Sequence, residues 1–549
     1  MNFAEESPMD VENDLVSIDR EEYIENNPVS DGELPYKVVR SDYSGRSLVA
    51  TKGLLAGYQV IQELPLLIGP TALSVPICLS CHAPVSTLYR CPVCQWPMCS
   101  ETCSDDPLHI SECQILSHDK KMIGVPTNED PTPRYDLILI LRCLLLKHSD
   151  PKQWKKLLSL NSHWKQRKKD AEPHHMAAVQ YFSKVCPTGH DEDTLHKIRG
   201  IVITNCINSR TSSGVSLRGI YPTISLLNHS CRPSVALRSD EHGQLFVHTT
   251  VEVEEDDQLV FSYVPPGEPY WKRQRDLHDV YYFKCSCERC ADRTEINTHF
   301  SSLKCPKCKK GFMDPMLNKK KTYRCSSCNY SIHQVKLMHL SIALQALYNN
   351  EDKIVDVASA INLLKEIHVR GHGKHYTWLA CAAIILKALG KTITMDAHRL
   401  RKQLWMRVID MHSILEPGMT RRRGVSLLQL SSVSAVLAIQ DYNIGRTSKV
   451  RLLEEVQQCQ QQLIEARQIL MLEPPASTEQ RWLRMEEKER RRLEEIMEQV
   501  EDLQATRLIV EQDEKQKQED RVKELEDVTK QESDSESESE SEEERGKDD

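Results

Sequence analysis

No apolar run in this sequence is long enough to span a bilayer. The opening MNFAEESPMDVENDL is acidic and has no hydrophobic signal core, which argues against secretion. Excess positive charge is missing too. The formal net charge is −9, and Glu532 to Asp549 alone holds ten acidic residues against Arg545 and Lys547. The rest of the chain is therefore close to neutral and offers no general field for nucleic acid. No strict internal repeat stands out.

What the sequence does have is cysteine: 20 among 549 residues, half of them in C-x-x-C pairs. Without a signal peptide, that pattern points to thiolate-bound metal rather than disulfides, and tetrahedral zinc suits soft thiolate ligands. With 40% hydrophobic and 28% charged residues, the chain reads as several globular domains with polar extensions.

Residues 1 to about 35 are acidic and weakly apolar and are expected to be disordered. The text from Tyr36 reads as short strands and hairpins, with β-branched residues between turn glycines. From Arg134 to about Gln180 it turns helical, through the apolar DLILILRCLLLK and a basic amphipathic stretch from Lys152 to Lys169. Residues 200–290 return to strand-like text with turns. From about Val335 to Leu472 successive amphipathic segments, among them VASAINLLKEI and YTWLACAAIILKALG, predict an antiparallel helical array. Residues 476–528 read as a solvated, ion-paired helix, and SDSESESESEEE as a disordered tail.

Between Cys78 and Cys113 lie four ligand pairs: Cys78-x2-Cys81, Cys91-x2-Cys94, Cys99-x3-Cys103 and His109-x3-Cys113. Alternating pairs must interleave to build one compact unit. This assigns Cys78, Cys81, Cys99 and Cys103 to one zinc, and Cys91, Cys94, His109 and Cys113 to another. So small a segment has little core, and metal binding should supply most of its folding free energy. Cys305-x2-Cys308 and Cys325-x2-Cys328 make a further complete set, read as a zinc ribbon. Cys285-x-Cys287-x2-Cys290 supplies three ligands, one short of a closed site. Cys143, Cys186, Cys206, Cys381 and Cys459 remain as free core thiols. His174 and His175, in AEPHHMAA, are expected to be exposed and to have no partners nearby.

The first module, with Trp96 and its Cys-Pro-x-Cys text, resembles the MYND finger, which usually binds proline-rich peptides. The text around it resembles a SET domain. GRSLVATKGLLAGYQVIQELPLL precedes the finger, and Tyr221-Pro-Thr-Ile-Ser-Leu-Leu-Asn-His-Ser-Cys-Arg-Pro, LVFSY (259–263) and YYFKCSCERC (281–290) follow it. A SET domain split by a MYND finger is the layout of the SET and MYND domain (SMYD) family. HGKHYTWL, PGMTRRRG and IEARQILMLEPP are similar to C-terminal helices of the arthropod SMYD-A group.

The resemblance implies an α+β fold. Residues 36–77 would be the N-terminal part of a SET-type β fold, split by the MYND finger at 78–113 and a helical insert at 114–199. SET core and post-SET would cover 200–290, the zinc ribbon 291–332 and an all-helical, TPR-like domain 333–475. Disordered or charged segments would occupy 1–35 and 476–549. It also implies a protein-lysine methyltransferase that uses S-adenosylmethionine. Tyr263 and Tyr281 would be the catalytic tyrosines, with Tyr282 as the alternative to Tyr281 if the register slips by one. Gly45, Arg46, Asn205, Asn228, His229, Tyr263 and Phe283 would hold the cofactor. Cys231 would complete the site of Cys285, Cys287 and Cys290, for about four zinc ions in all.

The chain departs from the family pattern at Ser47 in Gly45-Arg46-Ser47, at Ser234 in NHSCRPSV and at Asp256-Asp257-Gln258. These departures keep a second reading in play: a SET/MYND adaptor of weak or no activity that binds protein partners and modulates gene expression. A zinc-stabilised scaffold is a third. The leading reading expects a lysine-bearing protein substrate, histone or other, and peptide partners for the finger. It expects no sequence-specific nucleic acid and no membrane, and a monomer in the nucleus or cytoplasm.

Overall fold

The computed structural model describes residues 34–42, 44–72, 74–85, 89–120, 135–211, 213–316, 322–346, 354–475, 477, 479–498 and 515–518. The expected acidic tail, and all but the last two residues of the expected disordered N-terminal stretch, lie outside them. The chain divides into two units, Met1–Val433 with Gln462–Glu486, and Ser434–Gln461 with Glu487–Asp549.

The first unit opens with a hairpin of β1 (Tyr36–Ser41) and β2 (Gly45–Ala50), paired antiparallel from Tyr36↔Ala50 to Ser41↔Gly45. Gly45 takes a φ of 67°, a left-handed turn at the hairpin's end that disfavours an L side chain. After β3 (Gln59–Glu63) and β4 (Leu67–Pro70), helices α1 (Glu101–Ser104) and α2 (Pro107–Leu116) close the first cysteine module. Next come α3 (Tyr135–Ser149), α4 (Pro151–Leu158), α5 (Trp164–Asp170), α6 (Pro173–Gln180) and α7 (Glu192–Asn205). Several starts are written in the sequence. Asp150 accepts from the N–H groups of Lys152 and Gln153 ahead of Pro151, and Asp191 caps α7 through Thr194.

Strands β5 (Cys206–Arg210), β6 (Ser216–Ile220), β7 (Asn228–His229), β8 (Val235–Ser239), β9 (Leu245–Thr249) and β10 (Val260–Phe261) follow. They form two three-stranded sheets, β3-β9-β8 and β4-β6-β5, and a short parallel pair, β7 with β10. Helix α8 (Tyr270–Tyr281) corrects the strand-like reading of residues 200–290, as does the end of α7. After Pro269, α8 buries Arg273 and Leu277, one turn apart on one face, and Trp271 on another side of the helix. Then come α9 (Glu288–Ala291) and the ribbon β11 (Met313–Pro315), β12 (Thr322–Cys325) and β13 (Ser331–His333). The predicted helical region follows as α10 (Gln334–Gln345), α11 (Val357–Arg370), α12 (Tyr376–Ala388), α13 (Met395–Leu415), α14 (Arg421–Asn443) and α15 (Lys449–Leu470).

Three apolar cores position these parts. Leu48, Val60, Tyr221, Val247 and Leu259 fill the space among the β-strands. The cysteine module shares a core with the insert helices, in which α3 is buried on nearly every side; this explains why its apolar run has no polar stripe. Trp96 packs edge-on to Tyr135 at 5.4 Å, a contact that adds about 1 kcal/mol to the burial of both rings. Arg142 of α3 reaches back to the module, pairing with buried Glu112 at 2.5 Å and donating to the Leu79 carbonyl at 2.6 Å. The third core joins ribbon residues Leu303, Met313 and Tyr323 to Leu337, Ile367 and Trp378 of the helices.

In the second unit, the C-terminal part of α14 and the N-terminal part of α15 bury Ala435, Leu437, Leu452 and Val456. Exposed ion pairs such as Arg490–Glu494 and Arg491–Glu487, one turn apart, line residues 487–498. By length and composition α14 could cross a membrane, contrary to the expectation that no apolar run suffices. Serine and alanine dilute its leucines without adding charge, and 61% of its apolar window is already buried inside the protein.

The histidine pair is a second correction. His175 is not exposed: it is fully buried on α6, stacked on buried His196 of α7, with Nε2 and Nδ1 2.7 Å apart. Pro173 starts a helix here, and its period turns His175 inward.

Candidate active site

Each predicted ligand set is gathered in space. The ligand atoms of Cys78, Cys81, Cys99 and Cys103 lie within 4.8 Å of one another, as do those of Cys91, Cys94, His109 and Cys113. The same holds for Cys231, Cys285, Cys287 and Cys290, and for Cys305, Cys308, Cys325 and Cys328. Tetrahedral zinc with Zn–S bonds of about 2.3 Å needs sulfurs about 3.8 Å apart. The separations of 3.7 Å for Cys91–Cys113, 3.5 Å for Cys231–Cys290 and 3.6 Å for Cys308–Cys325 fit that edge. His109 turns Nε2 to Cys94 at 3.7 Å, and burial lowers its pKa, which keeps the imidazole in its neutral, ligating form. Four zinc ions have a place.

A common local device builds the knuckles. In all four C-x-x-C pairs of the first module and the ribbon, the residue after the second cysteine is left-handed: His82 at 59°, Gln95 at 64°, Lys309 at 58° and Asn329 at 58°. That turn brings the backbone N–H of His82, Gln95 and Lys309 back to the carbonyl of the first cysteine.

The Cys231 set has a partner that no motif marks. Arg273 of α8 is fully buried, with Nε 3.2 Å from Cys231 Sγ and Nη2 3.6 Å from Cys290 Sγ. Four thiolates on one zinc leave two negative charges, and a buried guanidinium offsets part of that. Glu295, shared with Arg289, pairs with the same Nη2 at 2.9 Å, and Nη1 donates to the Glu268 carbonyl at 2.6 Å.

Above this set opens a cavity of about 2420 Å³. Gly45, Arg46, Asn205, Asn228, His229, Tyr263, Tyr281 and Phe283 all line it. Three segments far apart in sequence meet here: the β1–β2 turn, the β7–β10 pair and the end of α8. Asn228 and His229 pair with Val260 and Phe261, so Tyr263 leaves β10 beside them. The rings of Tyr263 and Tyr281 are 4.8 Å apart, and Phe283 lies 6.5 Å from each. Tyr282 also lines the cavity but turns its ring to His163, 5.3 Å away. The Tyr263 hydroxyl donates to the Leu227 carbonyl at 2.6 Å, and burial beside Tyr281 pushes it well above the ordinary phenol range. Burial raises Tyr281 as well. Both phenols therefore stay protonated at neutral pH and orient a guest rather than accept its proton.

A cavity of this size exceeds the usual few hundred to one thousand Å³ of a single small-ligand site and has room for two guests. Asn228 Nδ2 is buried without a hydrogen-bond partner among the described residues, a donor left for a bound molecule. Asn205 spends its amide nitrogen on the carbonyls of Asn161 and Ile201, at 2.7 and 2.9 Å. Sequence reasoning missed the wall made by Ser159, Asn161 and His163, because the insert carries no motif. Cys206, read as a core thiol, is half-buried and lines the cavity, while Cys143, Cys186, Cys381 and Cys459 are buried.

Comparison with known proteins bears on this arrangement. The SET domain family model matches residues 91–264. SET domain-containing protein SmydA-8, isoform B, of Drosophila melanogaster is 28% identical over 356 residues, covering 61% of this chain and 76% of that protein. Histone-lysine N-methyltransferase Smyd1 of Mus musculus is 24% identical, covering 49% of this chain and 59% of its own. N-lysine methyltransferase SMYD2-B of Danio rerio is 25% identical, covering 40% and 51%. Among solved structures, Rubisco LSMT bound to AdoMet aligns with 87% of this chain and 92% of its own at 12% identity, but a TM-score of 0.25 gives that likeness no weight. The chain therefore carries a SET domain over residues 91–264, and it is similar along more than half of its length to SmydA-8 and, over shorter stretches, to other SMYD proteins.

Proposed function

We propose that this protein is an S-adenosylmethionine-dependent protein-lysine methyltransferase whose acceptor is a lysine of a histone or another protein. The observation that carries the reading is the aromatic group of Tyr263, Tyr281 and Phe283 on the same cavity as Asn228, His229 and Arg46. The bound cofactor would supply an electrophilic methyl group on sulfonium. Asn228 and His229, beside Gly45 and Arg46, would hold it. Tyr263 and Tyr281 would flank the lysine amine, align it, and favour the charge that develops on nitrogen. Since both phenols stay protonated, the amine's proton leaves to solvent rather than to a tyrosine.

Of the departures from the family pattern, Ser234, Asp257 and Gln258 line the cavity and Ser47 does not. Ser47 is 2% exposed and turns its hydroxyl toward the Val39 carbonyl at 3.4 Å. Ser234 accepts from the Val260 N–H at 3.1 Å and steadies β10. We read the first module as a MYND finger, the Cys231 set as a post-SET site, the third cysteine segment as a ribbon and the later helices as a TPR-like domain. Val93, Leu108 and Ile110 are apolar side chains exposed on the surface of the finger, and we read the finger as taking a proline-rich peptide. The adaptor reading rests on that surface. Thiolate zinc sites need a reducing compartment, and we place the protein in the nucleus or cytoplasm, with a role in transcriptional regulation.

Calorimetry with zinc-loaded, folded protein tests the reading. S-adenosylmethionine should bind the wild type, Asn228→Ala should weaken that binding at least tenfold, and Tyr263→Phe should abolish transfer to lysine while binding persists. No binding heat from the wild type would leave the adaptor and the scaffold.

A further inference from the structure

We propose that Arg167, in the helical insert, is the positioning residue for Tyr281: it grips the residues on either side of that tyrosine and thereby sets the lysine channel. The inference rests on the reading of Tyr281 as a channel wall.

Arg167 lies on α5 and is 3% exposed. Among the described residues no carboxylate pairs with it. Glu172 and Asp170 act on it only from beyond ion-pair distance, so the buried guanidinium needs neutral acceptors for its N–H groups. Its Nε donates to the Ser162 carbonyl at 3.3 Å, and Nη2 donates to Thr204 Oγ1 at 3.2 Å and to the Val280 carbonyl at 2.5 Å. Its carbon centre sits 5.1 Å from the Tyr282 ring centroid. The grip therefore falls on Val280 by hydrogen bond and on Tyr282 by cation–π contact, with Tyr281 between them.

The end of α8 needs such a grip. Val280 is in the last turn, where carbonyls lack a helical partner, and a cation there also meets the negative end of the helix dipole. Tyr282 ends the helix at a φ of 57°, a left-handed position that favours glycine. Nothing in the sequence relieves that strain locally. Arg167 and His163, the latter also left-handed at 49°, hold the Tyr282 ring from the insert side. The insert loop is in turn locked to α7. A Cβ at Gly200 would come 2.3 Å from the Ser162 carbonyl oxygen, so the two backbones touch, and Asn205 donates to the Asn161 carbonyl. The insert thus fixes the place where α8 stops and, with it, the direction of the Tyr281 ring toward Tyr263.

Full-length, zinc-saturated protein carrying 3-fluorotyrosine at position 281 tests this without relying on activity. The wild type should give one sharp fluorine resonance. Arg167→Met should give a shifted and broadened or split one, at unchanged zinc content. Turnover with core histones as the probe should fall at least tenfold, with the KM for S-adenosylmethionine within threefold. An unchanged resonance in folded Arg167→Met overturns the proposal. If Arg167→Met does not fold, Arg167→Lys decides: it keeps the charge but not the planar fork, and should perturb the resonance, whereas a wild-type resonance overturns the proposal. A perturbed resonance in a protein whose wild type neither binds S-adenosylmethionine nor methylates would uphold the positioning role and reject the functional reading instead.

Discussion

The backbone N–H of Tyr263 donates to His229 Nδ1 at 3.0 Å. That fixes the tautomer of His229. An imidazole nitrogen that accepts carries no proton, so the ring proton sits on Nε2, 3.3 Å from Cys231 Sγ. One histidine therefore links Cys231 to the backbone of Tyr263 on the cavity wall, and Tyr281 and Phe283 stand just before the next cysteine of the set, Cys285. The Cys231 set is part of the cavity's frame as well as a structural clip.

From this follows a coupled loss. Cys287→Ser should lower the zinc content by one ion per chain and abolish lysine methylation at the same step, while the first module and ribbon keep their metal. Zinc counting on the purified variant, paired with methyl transfer, checks it. One zinc fewer with normal turnover would disprove the coupling.

The knuckle geometry makes a second prediction. Lys309 is exposed and left-handed, so its side chain contributes little beyond the strain of its backbone. Lys309→Gly should be close to neutral, because relief of the left-handed strain is offset by greater freedom in the unfolded chain. Lys309→Val should cost about 1–2 kcal/mol, since a β-branched residue resists this conformation most. Competition of each variant with a zinc chelator, with thermal melting alongside, measures the difference. Equal behaviour of Gly and Val would show that the turn does not carry the site.

Much of this was legible because metal ligation and motif spacing are local. The interleaved pairing of Cys78 to Cys113 follows from spacing alone, and the order of NHSC, SY and YxF-x-C-x-C-x-x-C brings the cavity's residues within reach. What escaped depends on contacts across the chain. His175 looked exposed because its partner, His196, lies 21 residues away on another helix. Arg167 sits in a stretch read as basic and amphipathic and Arg273 in one read as strand-like, yet both are buried against groups that no pattern flags. The strand-like reading of residues 270–281 failed for a similar reason: the buried face of α8 includes an arginine, which hides the helical period.

Glu63 shows how a buried carboxylate bears on the cavity from outside it. Its two oxygens accept from the N–H groups of Thr223 and Ile224 at 2.9 Å each, capping the turn that leads to Asn228 and His229. Burial nevertheless pushes its carboxyl up to about 7, against those two donors. A carboxyl raised in the folded state contributes most below its unfolded value, near 4.3, and loses that contribution as pH rises through 7. Relative to Glu63→Gln, the wild type should therefore lose about 1 kcal/mol of stability between pH 6 and 7.5. The residue keeps partial exposure, which makes that figure an upper limit. Urea unfolding of both zinc-loaded proteins at the two pH values measures the gap, and zinc release, common to both, cancels in it. A gap independent of pH would mean that the two backbone donors outweigh burial and hold Glu63 ionised throughout.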